Sequence, residues 1–130
     1  MVVDPVSNFL AKLKNASLAG KASISVPSSK FIESIAALLK QENFIKDFSK
    51  KGKKVVKTLE VELMYEEGKP RITDVERVSK FSRRVYQGAK DLKPVRNGYG
   101  IMVLTTPKGI LSDKTARKEK VGGEALFKIW

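Results

Sequence analysis

The chain contains no cysteine and no histidine. Without cysteine there is no disulfide framework and no thiolate metal site. Without histidine there is no Ser-His or Cys-His pair and no imidazole metal site. No apolar run approaches the roughly 18 residues that suggest a membrane span. The start, MVVDPVSNFLAKLKN, lacks the basic segment and apolar stretch of a signal peptide. A phosphate-cradling Gly-x-x-x-x-Gly-Lys loop is missing, and Gly98 and Gly100 are too isolated for a dinucleotide fingerprint. These absences predict a soluble cytoplasmic protein with no metal and no cofactor. Little catalytic machinery remains. Glu60, Glu62, Glu66 and Glu67 read as solvated surface, and Thr106 near Lys108 is the one pair that fits a nucleophile and its base.

Acidic residues are in deficit too. The 130 residues carry 14 Asp plus Glu against 26 Lys plus Arg, a formal net charge of +12. A compact protein so charged repels itself, so a polyanion is the expected partner. Nucleic acid ranks ahead of a merely soluble basic protein. An anionic membrane ranks lower, because the first helix has only two lysines and no tryptophan.

Apolar residues make up 42% of the chain, enough for a packed core. DPVSNFLAKLKNAS opens as a helix: Asp4 caps it, Pro5 suits its first position, and Val6, Phe9, Leu10 and Leu13 form one buried stripe. Asn8, Lys12 and Asn15 fall on the opposite face, with Lys14 at the flank. GKASISVP is a strand ended by Pro27. Ser28 or Ser29 caps a second helix whose core stripe is Ile32, Ile35, Ala36 and Leu39 and which ends near Gln41. NFIKDF and KTLEVELMY read as paired strands around a turn at Gly52 flanked by Lys50, Lys51, Lys53 and Lys54. Residues 1–65 therefore read α-β-α-β-β.

The polar stretch EEGKP (66–70) marks the expected boundary between domains 1–66 and 67–130. Beyond it the pattern is mostly strand with one short helix. RITDVERVSK is an ambiguous strand and RRVYQ a short one. Asn97-Gly98 signals a tight turn. YGIMVL is a buried strand, Ser112 or Asp113 caps a helix to about Lys118, and EALFKIW closes the chain as a strand.

Two stretches carry candidate chemistry. In TTPKG (105–109), Thr105 and Thr106 hold hydroxyls that both donate and accept, which suits base edges and ribose 2′-hydroxyls. Pro107 stiffens the segment, Lys108 supplies a phosphate charge, and Gly109 allows close approach. An ordinary turn between strand and helix uses the same residues. In VGGEAL (121–126), Gly122 and Gly123 leave room for a ligand or for unusual backbone, and Glu124 can accept from base amines or stand as a surface residue. Tyr86 offers a stacking ring, although local sequence favours half-buried packing. Arg83, Arg84 and the turn lysines suit phosphates or plain solvation.

These residues carry a resemblance. GYGIMVLTTPKGILSDKTARKEKVGGEALFKIW is similar to the C-terminal signature of the eighth small-subunit ribosomal protein, bacterial type. The matches are Asn97-Gly98, Thr105-Thr106-Pro107, Lys108-Gly109, Ala116-Arg117 and Gly122-Gly123-Glu124. DPVSNFLAKLKNA, VPSSK, FIKDF and RRVY resemble that family's earlier motifs, in order, so the likeness spans essentially the whole chain.

The resemblance implies an α+β fold of two small domains: an N-terminal α-β-α-β-β domain and a mostly β C-terminal one with a short helix. It implies a structural role in the small ribosomal subunit, without enzymatic activity. The expected target is an irregular helix with an internal loop in the central domain of small-subunit rRNA. Neighbouring small-subunit proteins, and in some bacteria the protein's own operon mRNA, are further expected partners of a chain that is monomeric when free. By position, Thr105, Thr106 and Pro107 fall in a hydroxyl-rich reading loop, Gly122, Gly123 and Glu124 in a second contact element. Tyr86, Lys30, Lys14 and Asn15 also match family positions. Pro107 stands where serine is usual, Phe81-Ser82 where Pro-Gly is common, and Lys12 and Lys14 where arginines are. Competing classes are a free-standing, non-specific RNA- or DNA-binding regulator or chaperone, and a small RNA-modifying enzyme.

Overall fold

The computed structural model describes residues 5–52, 57–80 and 83–130. Helices and strands group into two compact units, one up to Thr73 and one from Asp74 to Trp130. The fold is α+β.

In the first unit, α1 (Pro5–Leu18) and α2 (Lys30–Gln41) accompany β1 (Ser23–Pro27), β2 (Ile45–Gly52) and β3 (Lys57–Leu63). The strands form an antiparallel sheet of order β1-β3-β2. Hydrophobic spacing dictates this arrangement. Val6, Phe9, Leu10 and Leu13 are all buried along α1, and Ile32, Ile35, Ala36 and Leu39 along α2. Leu59, Val61 and Leu63, which alternate along β3 and so share one face, are buried as well. Asp4, the expected cap of α1, lies outside the described residues. At α2 the cap is Ser29, whose hydroxyl accepts from the Ile32 N–H at 3.2 Å. Beyond the helix, Asn43 takes a left-handed φ of 63°, and the Phe44 N–H donates to the Leu39 carbonyl at 2.8 Å, a common helix stop.

Two expectations shift. The second strand continues through Ser49–Gly52, where a lysine-rich turn was expected. Lys50 and Lys51 stand opposite Leu59 and Thr58 in the ladder, with their charges on Glu33 at 3.2 Å and Glu60 at 3.0 Å. The polar stretch at 66–70 is a hairpin between β4 (Tyr65–Glu66) and β5 (Lys69–Pro70). Its turn residues Glu67 and Gly68 have φ of 51° and 78°, the mirror-image turn that matches strand twist. The Tyr65 hydroxyl donates to the Lys21 carbonyl at 2.6 Å, and Ile72 is buried. The composition break therefore falls inside the first unit.

Two carboxylates tie this unit to pH. The Ser28 hydroxyl, and then the Lys50 ammonium, hold Glu33 below the ordinary carboxylate value against an opposing desolvation effect. Lys40 and the Phe48 N–H do the same for Asp47. A lowered folded-state value means stability that is present above the usual carboxylate range and is lost as pH falls through and below it. Denaturant melts should show a gap between wild type and Glu33→Gln at pH 7 that closes toward pH 3. A gap that persisted at pH 3 would remove Glu33 from this role.

The second unit is a sheet of order β6-β10-β8-β9, with β7 also paired to β10. The strands are β6 (Val75–Arg77), β7 (Tyr86–Gln87), β8 (Ile101–Thr106), β9 (Gly109–Ser112) and β10 (Gly123–Ile129). Helix α3 (Asp113–Glu119) follows β9 directly, capped by Ser112, which accepts from the Thr115 N–H at 3.2 Å. Ala116 of α3 packs with Leu104, Ala125, Met102 and Leu92. Asn97-Gly98 lies in a tight turn closed by the Gly98 and Gly100 N–H groups on the Val95 carbonyl. β9 was not expected; TTPKG turns back into a strand rather than into a helix. A bulge interrupts β10 between Ala125 and Phe127, leaving Leu126 as the extra residue.

Candidate nucleic-acid interface

Strand register builds the site. Glu124 pairs with Thr105 on one side and with Tyr86 on the other. Directly opposed residues of antiparallel strands project from the same face. A hydroxyl, a carboxylate and a phenol thus form one row across β8, β10 and β7. Ala125 and Leu104, the adjacent pair, project to the opposite face, toward Ala116 of α3. The row therefore lies on the face away from the helix.

Tyr86 is 71% exposed, so the half-buried packing that local sequence favours does not occur. Glu124 retains 14% side-chain exposure and is held by the Arg84 guanidinium at 3.1 Å. This pairing sets the direction of the carboxylate and offsets its charge in a basic surrounding. Arg84 therefore meets a carboxylate, where phosphate contact or plain solvation was expected. Arg83 is exposed.

The hairpin turn divides the two threonines. The Thr106 hydroxyl donates to the Gly109 carbonyl at 2.8 Å and accepts from the Lys108 N–H at 3.1 Å. It is spent on holding its own turn. The Thr105 hydroxyl has no hydrogen-bond partner among the described residues, and its side chain is partly exposed. Pro107 is exposed at the tip, and Lys108 reaches back to Glu119 of α3 at 3.2 Å. Gly109 faces open space and is required for its φ of 109°, not for close approach.

Gly122 and Gly123 answer to the backbone. A Cβ on Gly123 would run into the Thr105 carbonyl, and one on Gly122 into the Gln87 carbonyl and the Gly88 Cα. The pair lets strands approach closely, which places Glu124 between Thr105 and Tyr86.

Lys30, Lys14 and Asn15 belong to the other unit. Lys30 opens α2 and is exposed. Asn15 is exposed on α1, lining a cleft with Lys12 and Lys21 beside β1. Lys14 is partly buried on the same helix. Lys53 and Lys54 lie outside the described residues. The sequence missed Asp113 as more than an alternative cap. It is fully buried, accepts from the Met102 N–H at 3.1 Å, and pairs with Arg117 at 2.9 Å. The signal was present as an acid and a base four residues apart on a helix.

Among the described residues no helix is long and apolar enough to cross a membrane. No group of three or more metal-ligating side chains occurs among them either. The family model described as ribosomal protein S8 matches residues 4–130. The chain belongs to the ribosomal protein S8 family. Three relatives, each named small ribosomal subunit protein uS8, show how closely it keeps to that pattern. The one from Dechloromonas aromatica is 45% identical over 123 residues, 95% of this chain and 94% of its own. That from Oleidesulfovibrio alaskensis is 44% identical over the full length of both chains. That from a Caulobacter species is 42% identical over 98% of this chain and 97% of its own. The family match runs from the start of α1 to the end of β10.

Proposed function

We propose that this S8-family protein is a primary binder of small-subunit rRNA, directed to an irregular helix with an internal loop in the central domain. The Thr105–Glu124–Tyr86 row carries the reading. Irregular RNA presents 2′-hydroxyls, base edges and unstacked bases in a wide, shallow groove. A threonine hydroxyl can exchange hydrogen bonds with a 2′-hydroxyl, a carboxylate accepts from an exocyclic amine, and an exposed tyrosine ring stacks. Exposed lysines such as Lys30 supply attraction to phosphates without reading sequence. The role is structural rather than enzymatic, on ribosomes in the cytoplasm, beside neighbouring small-subunit proteins. A similar mRNA element in its own operon is a second target, which would make the protein a translational repressor.

Of the two threonines, Thr105 is the favoured reader, because the Thr106 hydroxyl is engaged in its own turn. Thr105→Ala should weaken binding to a central-domain rRNA fragment about fivefold to tenfold, the loss of one hydrogen bond of roughly 1 kcal/mol. Binding to a regular RNA duplex should stay unchanged. Titrations at near-physiological salt in excess tRNA would measure both, since the non-specific term is weak there. An equal loss on both RNAs would defeat the assignment. Equal, salt-sensitive binding of the wild type to both would favour the non-specific binder.

A further inference from the structure

Helix α3 is too short to roof its sheet. Its seven residues span about 10 Å at 1.5 Å each. The seven residues of β10 run about 23 Å at 3.3 Å each. Ala116 covers Leu104 and Ala125. The row toward the end of the strand, Glu76–Lys128–Met102, projects to that same face and opens into a cleft of about 410 Å³.

The cleft floor is apolar: Val95 and Met102 are buried, and Trp130 lies beside them. Its rim carries both signs of charge, Glu76 and Asp91 against Lys93 and Lys128. None of these four has an ion-pair partner within 4 Å among the described residues, although Glu76 and Lys128 face each other across two strands. The Arg96 guanidinium lies 4.3 Å from the centre of the Trp130 ring. Arg96 has a left-handed φ of 49°, uncommon outside glycine. Gly100 brings its turn against the strand end, since a Cβ there would lie 2.8 Å from the Trp130 Cβ.

We propose that this cleft docks a segment of another protein, one that presents an apolar side chain flanked by an acidic and a basic residue. The apolar side chain sits on Met102, Val95 and the open part of Trp130. Its acidic neighbour meets Lys93 or Lys128, and its basic neighbour meets Glu76 or Asp91. Charge complementarity decides the class of partner. An RNA strand would bring phosphates onto two carboxylates, a costly juxtaposition. A base would also find one face of the indole covered by Arg96. A mixed-charge peptide satisfies both signs at once. A cleft of this size contacts only a few residues, so the contact is weak alone and acts within an assembly where other contacts hold the partner nearby.

The test is photocrosslinking in intact small subunits assembled with this protein. Benzoylphenylalanine replaces Asp91 in one preparation and Glu76 in another; both positions are exposed, and incorporation is checked by mass before irradiation. The expected product is a crosslinked segment of a ribosomal protein with an apolar residue between opposite charges. A synthetic peptide of that sequence should bind the free protein and lose about tenfold on Lys93→Glu. Crosslinks to rRNA, no crosslink at either position, a segment with charge of one sign, or a peptide indifferent to Lys93→Glu would each overturn the proposal.

Discussion

Asp113→Ala is expected to lower the unfolding free energy by about 3 kcal/mol, the cost of breaking a buried ion pair from one side. Two groups lose their partner together. The Met102 N–H, bonded to the carboxylate at 3.1 Å, is left buried without an acceptor. Arg117 loses its counter-charge at 2.9 Å, though 30% side-chain exposure lets it recover some hydration. The carboxylate also sits in the first turn of α3, where negative charge is favourable. Against a typical domain stability of about 5–15 kcal/mol, such a loss is severe. Urea melts measure it. Asp113→Asn keeps an acceptor for Met102 and gives up the charge, so it should fall between the two. Arg117→Ala combined with Asp113→Ala should cost less than the sum of the single changes. A loss below about 1 kcal/mol for Asp113→Ala would mean that α3 is held by its apolar contacts alone. The effect should reach the hairpin as well, because Glu119 at the far end of α3 holds Lys108.

Gly123→Ala should be the most damaging change for RNA recognition, though it removes no contact to RNA. The added methyl meets a backbone carbonyl, that of Thr105, which cannot rotate away as a side chain would. Overpacking of this kind costs about 1–3 kcal/mol. The strain falls where Glu124 and Thr105 are paired, so relief must separate them. Specific rRNA affinity should then drop about 100-fold, equivalent to roughly 2.7 kcal/mol, well beyond the Thr105→Ala loss. Hydrogen exchange would show faster exchange of the Ala125 N–H, which donates to the Val85 carbonyl at 2.8 Å, with Ile129 unaffected. Binding within threefold of wild type would show that β8 and β10 can part slightly without disturbing the row.

Much of this molecule was legible from the amino-acid sequence because its helices follow local rules. Ser29 caps α2 and Ser112 caps α3 through their own hydroxyls, and the stripe from Val6 to Leu13 is buried as its spacing requires. Strands that owe their existence to a neighbour were harder. β9 is four residues long and pairs with β8 through a turn fixed by the Thr106 hydroxyl, and nothing in GILS by itself distinguishes a strand from a helix approach. The continuation of β2 through Ser49–Gly52 depends on pairing with β3 and on Glu33 and Glu60 receiving its lysines. The candidate site was legible as residue types and as family motifs. Its arrangement was not, because Arg84 and Glu124 meet only after β7 and β10 pair in one particular register.

The bulge at Leu126 sets the molecule's tolerance to insertion and deletion. With the extra residue, Glu124 shares a face with Phe127, while Ala125 shares the other with Lys128. Losing the one codon for Leu126 would restore an even alternation and leave Phe127 opposite Val103 and Lys128 opposite Met102, each on the face it already holds. Losing a second codon would turn everything beyond it over, sending Lys128 into the place of a fully buried side chain. Gene lengths in this segment should therefore vary by the bulge residue alone or not at all.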